Sequence, residues 1–333
     1  MKNYRTYIGI DVAKLTLDYC IVKEDPQLEQ GQILNTQKSV DKFLKTLKKN
    51  GCQMNETLFV FENTGIYSSL LALVLSENSL DYAQVPALEI KRSLGITRGK
   101  SDKVDAKEIA HYAKRNTDKI ALSTLPELSL QQLKIVFAER EKTVAAIKTF
   151  ERTKENEMFL TKEVFNSVKA INNQTVKHLK KQLVMLDEKI RTLIREDENL
   201  YGQQQLLKSI PGIGDITSVY ILMATKGFTA FTSGRKFACY SGVAPFEHSS
   251  GTSIKGKTRV SHLADKKMKT LLHMASLTAI KYDPELKDYY NRKKAEGKHT
   301  MLVLNNIKCK MVYRIFAVIQ RKSNFVNLHK FAA

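Results

Sequence analysis

The segment Arg98–Arg115, RGKSDKVDAKEIAHYAKR, decides how the rest of the chain is interpreted. Asp102 and Asp105 stand three residues apart where the spacing predicts a helix, which places both carboxylates on one helix face. Ser101 is a plausible N-cap, and acidic residues suit a first helical turn, so simple capping is one interpretation. A metal site that meets a phosphate backbone is the other, because basic residues frame the acidic pair: Arg98, Lys100, Lys103, Lys107, Lys114 and Arg115.

Composition favours a nucleic-acid partner. The 333 residues include 54 Lys and Arg against 34 Asp and Glu, a formal net charge of +20, which favours a polyanion, nucleic acid before an anionic membrane. No apolar run approaches the roughly 20 residues that span a bilayer, and the N-terminus shows no signal-peptide pattern. The four cysteines are far apart with no CxxC pair, which indicates reduced thiols. We expect a cytoplasmic protein associated with the bacterial nucleoid.

The first part of the chain has the pattern of an α/β domain. Alternating and apolar runs predict five strands with helices after the third, fourth and fifth of them, at Tyr4–Val12, Leu15–Val22, Gln32–Asn35, Thr57–Phe61 and Asp81–Val85. Asp11 closes the first strand and Glu62 follows the fourth, whereas Lys14 and Asp18 are interpreted as exposed hairpin residues.

Strand ends and helix starts of an α/β sheet meet at one edge, where ligands bind. Four carboxylates gathered there, Asp11, Glu62, Asp102 and Asp105, would repel one another unless cations neutralise them. Two Mg²⁺ ions roughly 4 Å apart would do so and would clamp a scissile phosphate. Each acid alone has a simpler explanation, and their joint placement favours the metal site.

Long helices follow from Leu128 onward. A seam with steps of three and four residues predicts either a short coiled coil or an amphipathic helix packed on its own domain, at Val176, Leu179, Leu183, Leu186, Ile190 and Leu193. In Ser209–Gly214, SIPGIG, one proline and two glycines separate two helical patterns. This block predicts a helix-hairpin-helix motif whose turn amides hold a phosphate, or a purely structural turn.

Five blocks in this order resemble the DEDD insertion-sequence transposases related to pilin-gene invertases: GIDVAK, FENTGIY, KSDKVDAKEIA, SIPGIG and FACYSGVAPFEHSSGTSIKGKTRVSH. The resemblance spans nearly the whole chain. It implies an α/β plus mainly α architecture, with a ribonuclease-H-like (RuvC-like) catalytic domain at 1–125, a helical coiled-coil connector at 126–202 and a mostly helical transposase domain at 203–333. The four family acids map onto Asp11, Glu62, Asp102 and Asp105. Mg²⁺ is the implied cofactor, two ions per site, for which Mn²⁺ can substitute.

The family also has a nucleophilic serine, which precedes a glycine at a fixed distance after a GLxP-like turn. Here that turn is Gly242–Pro245, which selects Ser250, while Ser241 also precedes a glycine and is the second choice. Ser249 and Ser253 compete, His248 is a candidate base, and Tyr240 as a tyrosine-recombinase nucleophile lacks an Arg/His cluster. The segment is rich in candidate phosphate-binding residues: Lys255, Lys257, Arg259, Lys266, Lys267 and Lys269.

The resemblance predicts a recombinase that excises and inserts its own mobile element through a serine–DNA linkage. Its implied partners are element-end and target DNA, a structured non-coding bridge RNA, and copies of itself in a dimer or tetramer. Three rivals stay open, namely a junction endonuclease that uses only the acids and water, a nucleic-acid-binding protein whose acids merely cap structure, and an actin-like ATPase. A second Gly-rich phosphate loop of the DxGG type, which the ATPase needs, is not found in the sequence.

Overall fold

The computed structural model describes residues 2–23, 28–93, 102–250, 254–260 and 263–327. The chain divides into two compact units, Met1–Leu125 and Pro126–Ala333. No described helix is long and apolar enough to cross a membrane.

A five-stranded mixed sheet forms the centre of the first unit. Its strands are β1 (Thr6–Val12), β2 (Thr16–Lys23), β3 (Leu28–Leu34), β4 (Thr57–Glu62) and β5 (Tyr82–Val85), in the order β3-β2-β1-β4-β5. The first three strands pair antiparallel, and β4 and β5 continue the sheet parallel to β1. This topology is that of a ribonuclease-H-like domain, and it confirms the predicted α/β class.

Helices cover both faces of this sheet, because every inner strand is buried on both sides. These helices are α1 (Gln37–Lys49), α2 (Ser69–Glu77), α3 (Ala87–Ser93) and α4 (Asp102–Arg115). Helix α1 begins at Thr36, whose side chain accepts from Ser39 N, and it buries a stripe of apolar residues at Val40, Phe43, Leu44 and Leu47. That stripe and α2 pack on one face of β1, whereas α3 and α4 pack on the other.

One glycine sets how closely α4 approaches the sheet. A Cβ built on Gly9 of β1 would lie 2.2 Å from Ala110 N and 2.4 Å from Ala106 O, distances that real Cβ atoms do not show. Only a residue without a side chain therefore lets α4 rest directly on β1.

The second unit is mainly helical and opens with two long helices, α5 (Leu128–Arg152) and α6 (Lys162–Glu196). Ion pairs of 2.6 Å between Arg140 and Asp187 and of 2.8 Å between Glu151 and Lys180 show that the two helices run antiparallel. The predicted seam buries Val176, Ile190 and Leu193. Helix α5 is the partner of α6 within the chain, as the interpretation of a helix packed on its own domain expects, and the coiled coil stays a prediction.

The rest of the unit packs around a single core. It contains α7 (Glu198–Lys208), α8 (Asp215–Thr225), α9 (Gly234–Tyr240), the hairpin of β6 (Pro245–Ser250) and β7 (Ile254–Val260), α10 (Lys266–Tyr282), α11 (Pro284–Ala295) and α12 (Thr300–Arg321). Its core includes Leu207, Ile221, Phe237, Leu272 and Ile315, all fully buried. The mainly helical class is confirmed for this half, while the predicted boundary between a connector and a transposase domain at 202–203 stays a prediction.

Candidate active site

Two of the predicted acids lie at the carboxyl ends of neighbouring parallel strands. The last paired positions of β1 and β4 are Ile10 and Phe61, so Asp11 and Glu62 are the next residue on each strand. Both are half-buried. Adjacent parallel strands in register place such residues side by side.

Strand alternation shows that both carboxylates share one face of the sheet. On β1, Tyr7 belongs to the core beneath α4, whereas Ile8 and Ile10 belong to the core beneath α1 and α2. Asp11 is two residues after Gly9 and four after Tyr7, so its side chain points to the same face as theirs, the α4 side. Glu62 alternates in step with Leu58 and Val60, which belong to that same core, so its side chain points to the α4 side as well.

Helix α4 brings a third acid to this face. Asp105 is half-buried and directly precedes Ala106, whose carbonyl oxygen would lie 2.4 Å from a Cβ on Gly9. Gly9 is two residues before Asp11 on the same face. Asp102 is the first residue of α4, and its side chain lies outside the described part. The fold thus gathers Asp11, Glu62 and Asp105 on one side of the sheet.

Sequence reasoning missed Asp18, and its interpretation as an exposed hairpin residue was wrong. Asp18 is buried, with 2% of its surface exposed, while Lys14 is exposed as predicted. Asp18 pairs directly with Asp11 across β1 and β2, so the two side chains share a face. Both Asp18 carboxylate oxygens accept from Gln32 Nε2, at 3.1 and 3.0 Å. The register of the hairpin, counted back from its turn, was the signal that could have found it.

Glu108 is a second acid that sequence reasoning missed. It is half-buried on α4, three residues after Asp105, and burial together with the negative charge of Asp105 raises the pKa of its carboxyl. His111 follows one turn later, where burial and the cations Lys107, Arg115 and Lys114 lower its pKa. The i, i+3 spacing of Asp105 and Glu108 was the available signal.

Carboxylate oxygens are the ligands that Mg²⁺ prefers, so the chemistry of these acids fits a divalent ion. Thr64, two residues after Glu62, has a buried hydroxyl oxygen with no hydrogen-bond partner, as expected beside a site that is completed by other groups. Among the described side chains, however, no group of three or more acids, histidines or cysteines is close enough to hold a metal. A complete site would therefore need Asp102, whose side chain is outside that set.

In the second unit, the favoured serine lies at the end of a strand. Ser250 is the last residue of β6 and pairs with Ile254 across the hairpin, and Ser249 pairs with Lys255. Residues 251–253, including Ser253, lie outside the described part, as do the side chains of His248, Ser249 and Ser250. The Gly/Ser/Thr-rich composition of this segment lacks the apolar alternation of a strand, and the hairpin was not predicted.

The two competing nucleophiles are held in structural contacts. Ser241 is fully buried, and its hydroxyl donates to the Phe237 carbonyl at 2.8 Å. The Tyr240 hydroxyl donates to Asp265 Oδ2 at 2.7 Å, and burial and this hydrogen bond to the carboxylate raise its pKa. A buried serine and a phenol that holds its proton are both poor nucleophiles.

The predicted phosphate-binding residues are distributed over both units. Lys107 and Lys266 are exposed, Lys269 is half-buried, and Lys267 forms an ion pair with Glu141. Arg98 and Lys100 lie outside the described residues, as do the side chains of Lys103, Lys255, Lys257 and Arg259.

The SIPGIG block forms a tight turn between α7 and α8. Gly212 has φ +94°, and a Cβ there would lie 2.3 Å from the Ala275 carbonyl oxygen of α10. An ion pair of 2.6 Å between Lys208 and Asp215 spans the turn. These contacts favour a structural role for the glycine, the simpler of the two interpretations.

Two family models match the chain. Residues 8–156, which include all four predicted acids, match the transposase model DEDD_Tnp_IS110. Residues 204–291 match the model described as Transposase IS116/IS110/IS902 family. The second match includes the β6–β7 hairpin and Ser250.

One relative that matches over its full length and one that matches over a third of its length agree with these models. The chain is 28% identical to the pilin gene-inverting protein of Moraxella bovis, over 96% of this chain and 98% of that protein. It is 33% identical to the IS900 uncharacterized 42 kDa protein of Mycobacterium paratuberculosis, over 39% of this chain and 33% of that protein.

Among solved structures, Thermus thermophilus RuvC in complex with a Holliday junction substrate matches 36% of this chain and 100% of its own, at 11% identity and a TM-score of 0.27. The fold described above rests on the strand order and not on this likeness. The family models and these relatives confirm the resemblance inferred from the five sequence blocks. The chain is thus similar to the IS116/IS110/IS902 and DEDD insertion-sequence transposases over its two matched regions, and it is a DNA-processing enzyme.

Proposed function

We propose that this protein excises and inserts its own mobile DNA element by Mg²⁺-dependent strand exchange through a covalent serine–DNA intermediate. The observation that carries the proposal is the placement of Asp11, Glu62 and Asp105 on the α4 face of the sheet. Completed by Asp102 at the start of α4, these carboxylates would favour bound cations, which would lower their mutual repulsion. The family's known pairing of such acids with a serine then points to Ser250.

The metal would be held by Asp11, Glu62, Asp102 and Asp105, with two Mg²⁺ ions per site and Mn²⁺ as a substitute. Bound there, the ions supply Lewis-acid stabilisation of the charge that develops on the phosphate oxygens. Asp18 lies next to Asp11, and its carboxylate, fixed by Gln32, adds negative charge that favours cation binding.

Ser250 would act as the nucleophile. Its Oγ forms a bond to the DNA phosphorus while one P–O ester bond of the strand breaks, the serine proton leaves to a base, and the departing sugar oxygen takes up a proton. A sugar hydroxyl of a second strand then attacks the same phosphorus, joins the strands and restores the serine. The linkage preserves the phosphodiester for rejoining, which hydrolysis would discard. Burial of Ser241 and the proton held by Tyr240 support Ser250 over these two alternatives.

The partners we propose are the element ends, the target DNA and a structured bridge RNA encoded by the element, with the protein acting as a homo-oligomer. The net charge of +20 and the name of the pilin gene-inverting relatives support the nucleic-acid partners. Sequencing of the RNA that copurifies with the protein tests whether it binds the proposed bridge RNA. A single structured species from the element would support it, whereas random cellular RNA would contradict it.

Ser250→Ala distinguishes the recombinase from the rival endonuclease. If the serine is the nucleophile, this variant binds DNA normally but neither cuts nor joins it, and the wild type leaves a DNA strand attached to the protein after denaturation. If water is the nucleophile, Ser250→Ala keeps substantial metal-dependent cleavage because all four acids remain. Ser249→Ala, the neighbouring hydroxyl, is the matched control and should keep activity.

Mass spectrometry of the digested adduct identifies the attached residue. Attachment at Ser250 supports the proposal. Attachment at Ser241 or Ser249, or no adduct with a trapped substrate, would overturn the assignment.

A further inference from the structure

A cavity of about 520 Å³ lies in the second unit, between α5, α8 and the start of α10. Its polar and aromatic lining consists of Lys134, Phe137, Glu141, Tyr220, Lys226, Tyr240 and Lys267. Cavities that hold small organic ligands have volumes of about 300–1,000 Å³, so this one is large enough for one nucleotide unit.

The charges that line the cavity do not balance. Three lysines face one acid, Glu141, and that acid already forms ion pairs with Lys267 and Arg140. Among the described residues, neither Lys134 nor Lys226 has an ion-pair partner. Although Lys134 is exposed on α5, desolvation of its ammonium beside the cavity, followed by the positive charge of Lys226, lowers its pKa. An anion between these two lysines would remove their repulsion.

The cavity is also lined by aromatic rings that are held in place by their contacts. Phe137 and Tyr220 are in contact, with ring centroids 5.5 Å apart. The hydroxyls of Tyr220 and Tyr240 both donate to Asp265, at 2.9 and 2.7 Å, which holds the two rings in place. Phe137 is itself buried, with 4% of its surface exposed, so the half-buried rings of Tyr220 and Tyr240 are the ones that offer a stacking surface to a nucleobase of any identity.

The cavity also adjoins the strand hairpin that carries Ser250. The backbone N–H of Asp265 donates to the Tyr240 carbonyl at 2.9 Å, and the hairpin is the chain between these two residues. The base of the hairpin therefore lies beside the cavity.

From these observations we infer that the cavity binds one nucleotide of an unpaired DNA strand, with its phosphate between Lys134 and Lys226 and its base against Tyr220 and Tyr240. The choice of DNA over RNA rests on the proposed strand exchange. The site would hold the strand in register beside the hairpin.

A single tryptophan can report on this site, because the chain contains none. We would place Phe137→Trp in the cavity wall of the Ser250→Ala protein, in EDTA, and titrate it with oligothymidylate. A stacked base should quench the tryptophan. Tyr313→Trp, on a side chain that is 50% exposed on α12, is the control and should not be quenched.

The lysines are tested by Lys134→Gln combined with Lys226→Asn. Asn is chosen because Lys226 ends α8 with φ +50°, a conformation that Asn tolerates. We expect the affinity for oligothymidylate to fall about tenfold and the salt slope to fall by about one. Lys45→Gln with Lys48→Gln, two exposed lysines of α1, carries the same charge change and should leave the affinity unchanged. Circular dichroism shows whether Phe137→Trp folds. If it does not, fluorescence anisotropy of labelled oligothymidylate, measured with the lysine variants, decides whether the cavity binds DNA.

Unchanged affinity in the cavity variant would overturn the inference, as would quenching by oligouridylate alone or equal quenching by free thymidine monophosphate. The assay needs neither Ser250 nor a metal, so its failure would leave the covalent-adduct test of the recombinase untouched.

Discussion

Gly9 of β1 and Ala110 of α4 are in direct backbone contact, so close that a Cβ on Gly9 would lie 2.2 Å from Ala110 N. This contact holds the helix that carries Asp105 against the strand that carries Asp11. The site we propose therefore depends on the absence of a side chain at a position that performs no chemistry.

Gly9→Ala should displace α4 and destabilise the first unit by about 1–3 kcal/mol, the usual cost of overpacking. Recombination should fall further than stability alone explains, because Asp105 moves relative to Asp11. Urea unfolding and a strand-transfer assay measure the two effects. Gly202→Ala is the control, since nothing lies within 4 Å of its added Cβ on α7. Wild-type stability and activity in Gly9→Ala would contradict the contact.

Alanine substitution of any one of the four acids, Asp11, Glu62, Asp102 or Asp105, should abolish recombination while the fold survives. EDTA should have the same effect on the wild type, and added Mg²⁺ should restore activity. Circular dichroism checks the fold. Strand transfer at the wild-type rate by Asp11→Ala would exclude the metal site.

Asp18→Asn should weaken the apparent Mg²⁺ affinity about tenfold, which is the lower end of the effect of residues that contact metal ligands without binding the metal. Activity should recover at saturating Mg²⁺. The Asn Oδ1 can still accept from Gln32, so the substitution removes the charge beside Asp11 and keeps one of the two hydrogen bonds. Asp41→Asn on α1 is the matched control and should leave the Mg²⁺ dependence of activity unchanged. An unchanged Mg²⁺ titration of Asp18→Asn would show that its carboxylate serves only the fold.

Lys255→Ala with Lys257→Ala should make the salt dependence of nucleic-acid affinity shallower, by about 0.9 in log–log slope for each lost phosphate contact with duplex DNA. Both residues lie on β7, opposite the strand that ends at Ser250. Filter binding over a range of salt concentrations measures the slope. Equal slopes in the wild type and the double variant would mean that these lysines are a solvated face.

The parts of the fold that follow from local pattern could be predicted. The run that ends at Asp11 is rich in Ile, Val and Tyr, and the apolar spacing around Val40 and Leu44 is helical, so their secondary structure is fixed by residues close in sequence. Asp18 could not be placed in this way. Its burial depends on which β3 residue lies opposite, and that residue, Gln32, supplies the hydrogen bonds that make a buried carboxylate tolerable.

The β6–β7 hairpin shows the same limit in the second unit. Residues 245–250, PFEHSS, have no apolar alternation, so nothing local predicts β6, whereas Ile254 and Val260 of β7 alternate with basic residues and Gly256 interrupts that pattern. The pairing of β6 with β7 therefore becomes visible only in the fold. The cavity could not be predicted from the sequence either, because Lys134 and Lys226 are far apart in sequence and come together only through the packing of α5 on α8.

The backbone hydrogen bond from Asp265 N to Tyr240 O has an engineering consequence. It joins the chain on the two sides of the hairpin, while Val243 and Ala244 fix the approach to β6 in the helical core, where the Val243 carbonyl accepts from Asn305 Nδ2 at 2.9 Å. We therefore expect the hairpin beyond Pro245 to tolerate changes of length and sequence while the core keeps its contacts, so that the part that carries Ser250 can be redesigned separately from the scaffold.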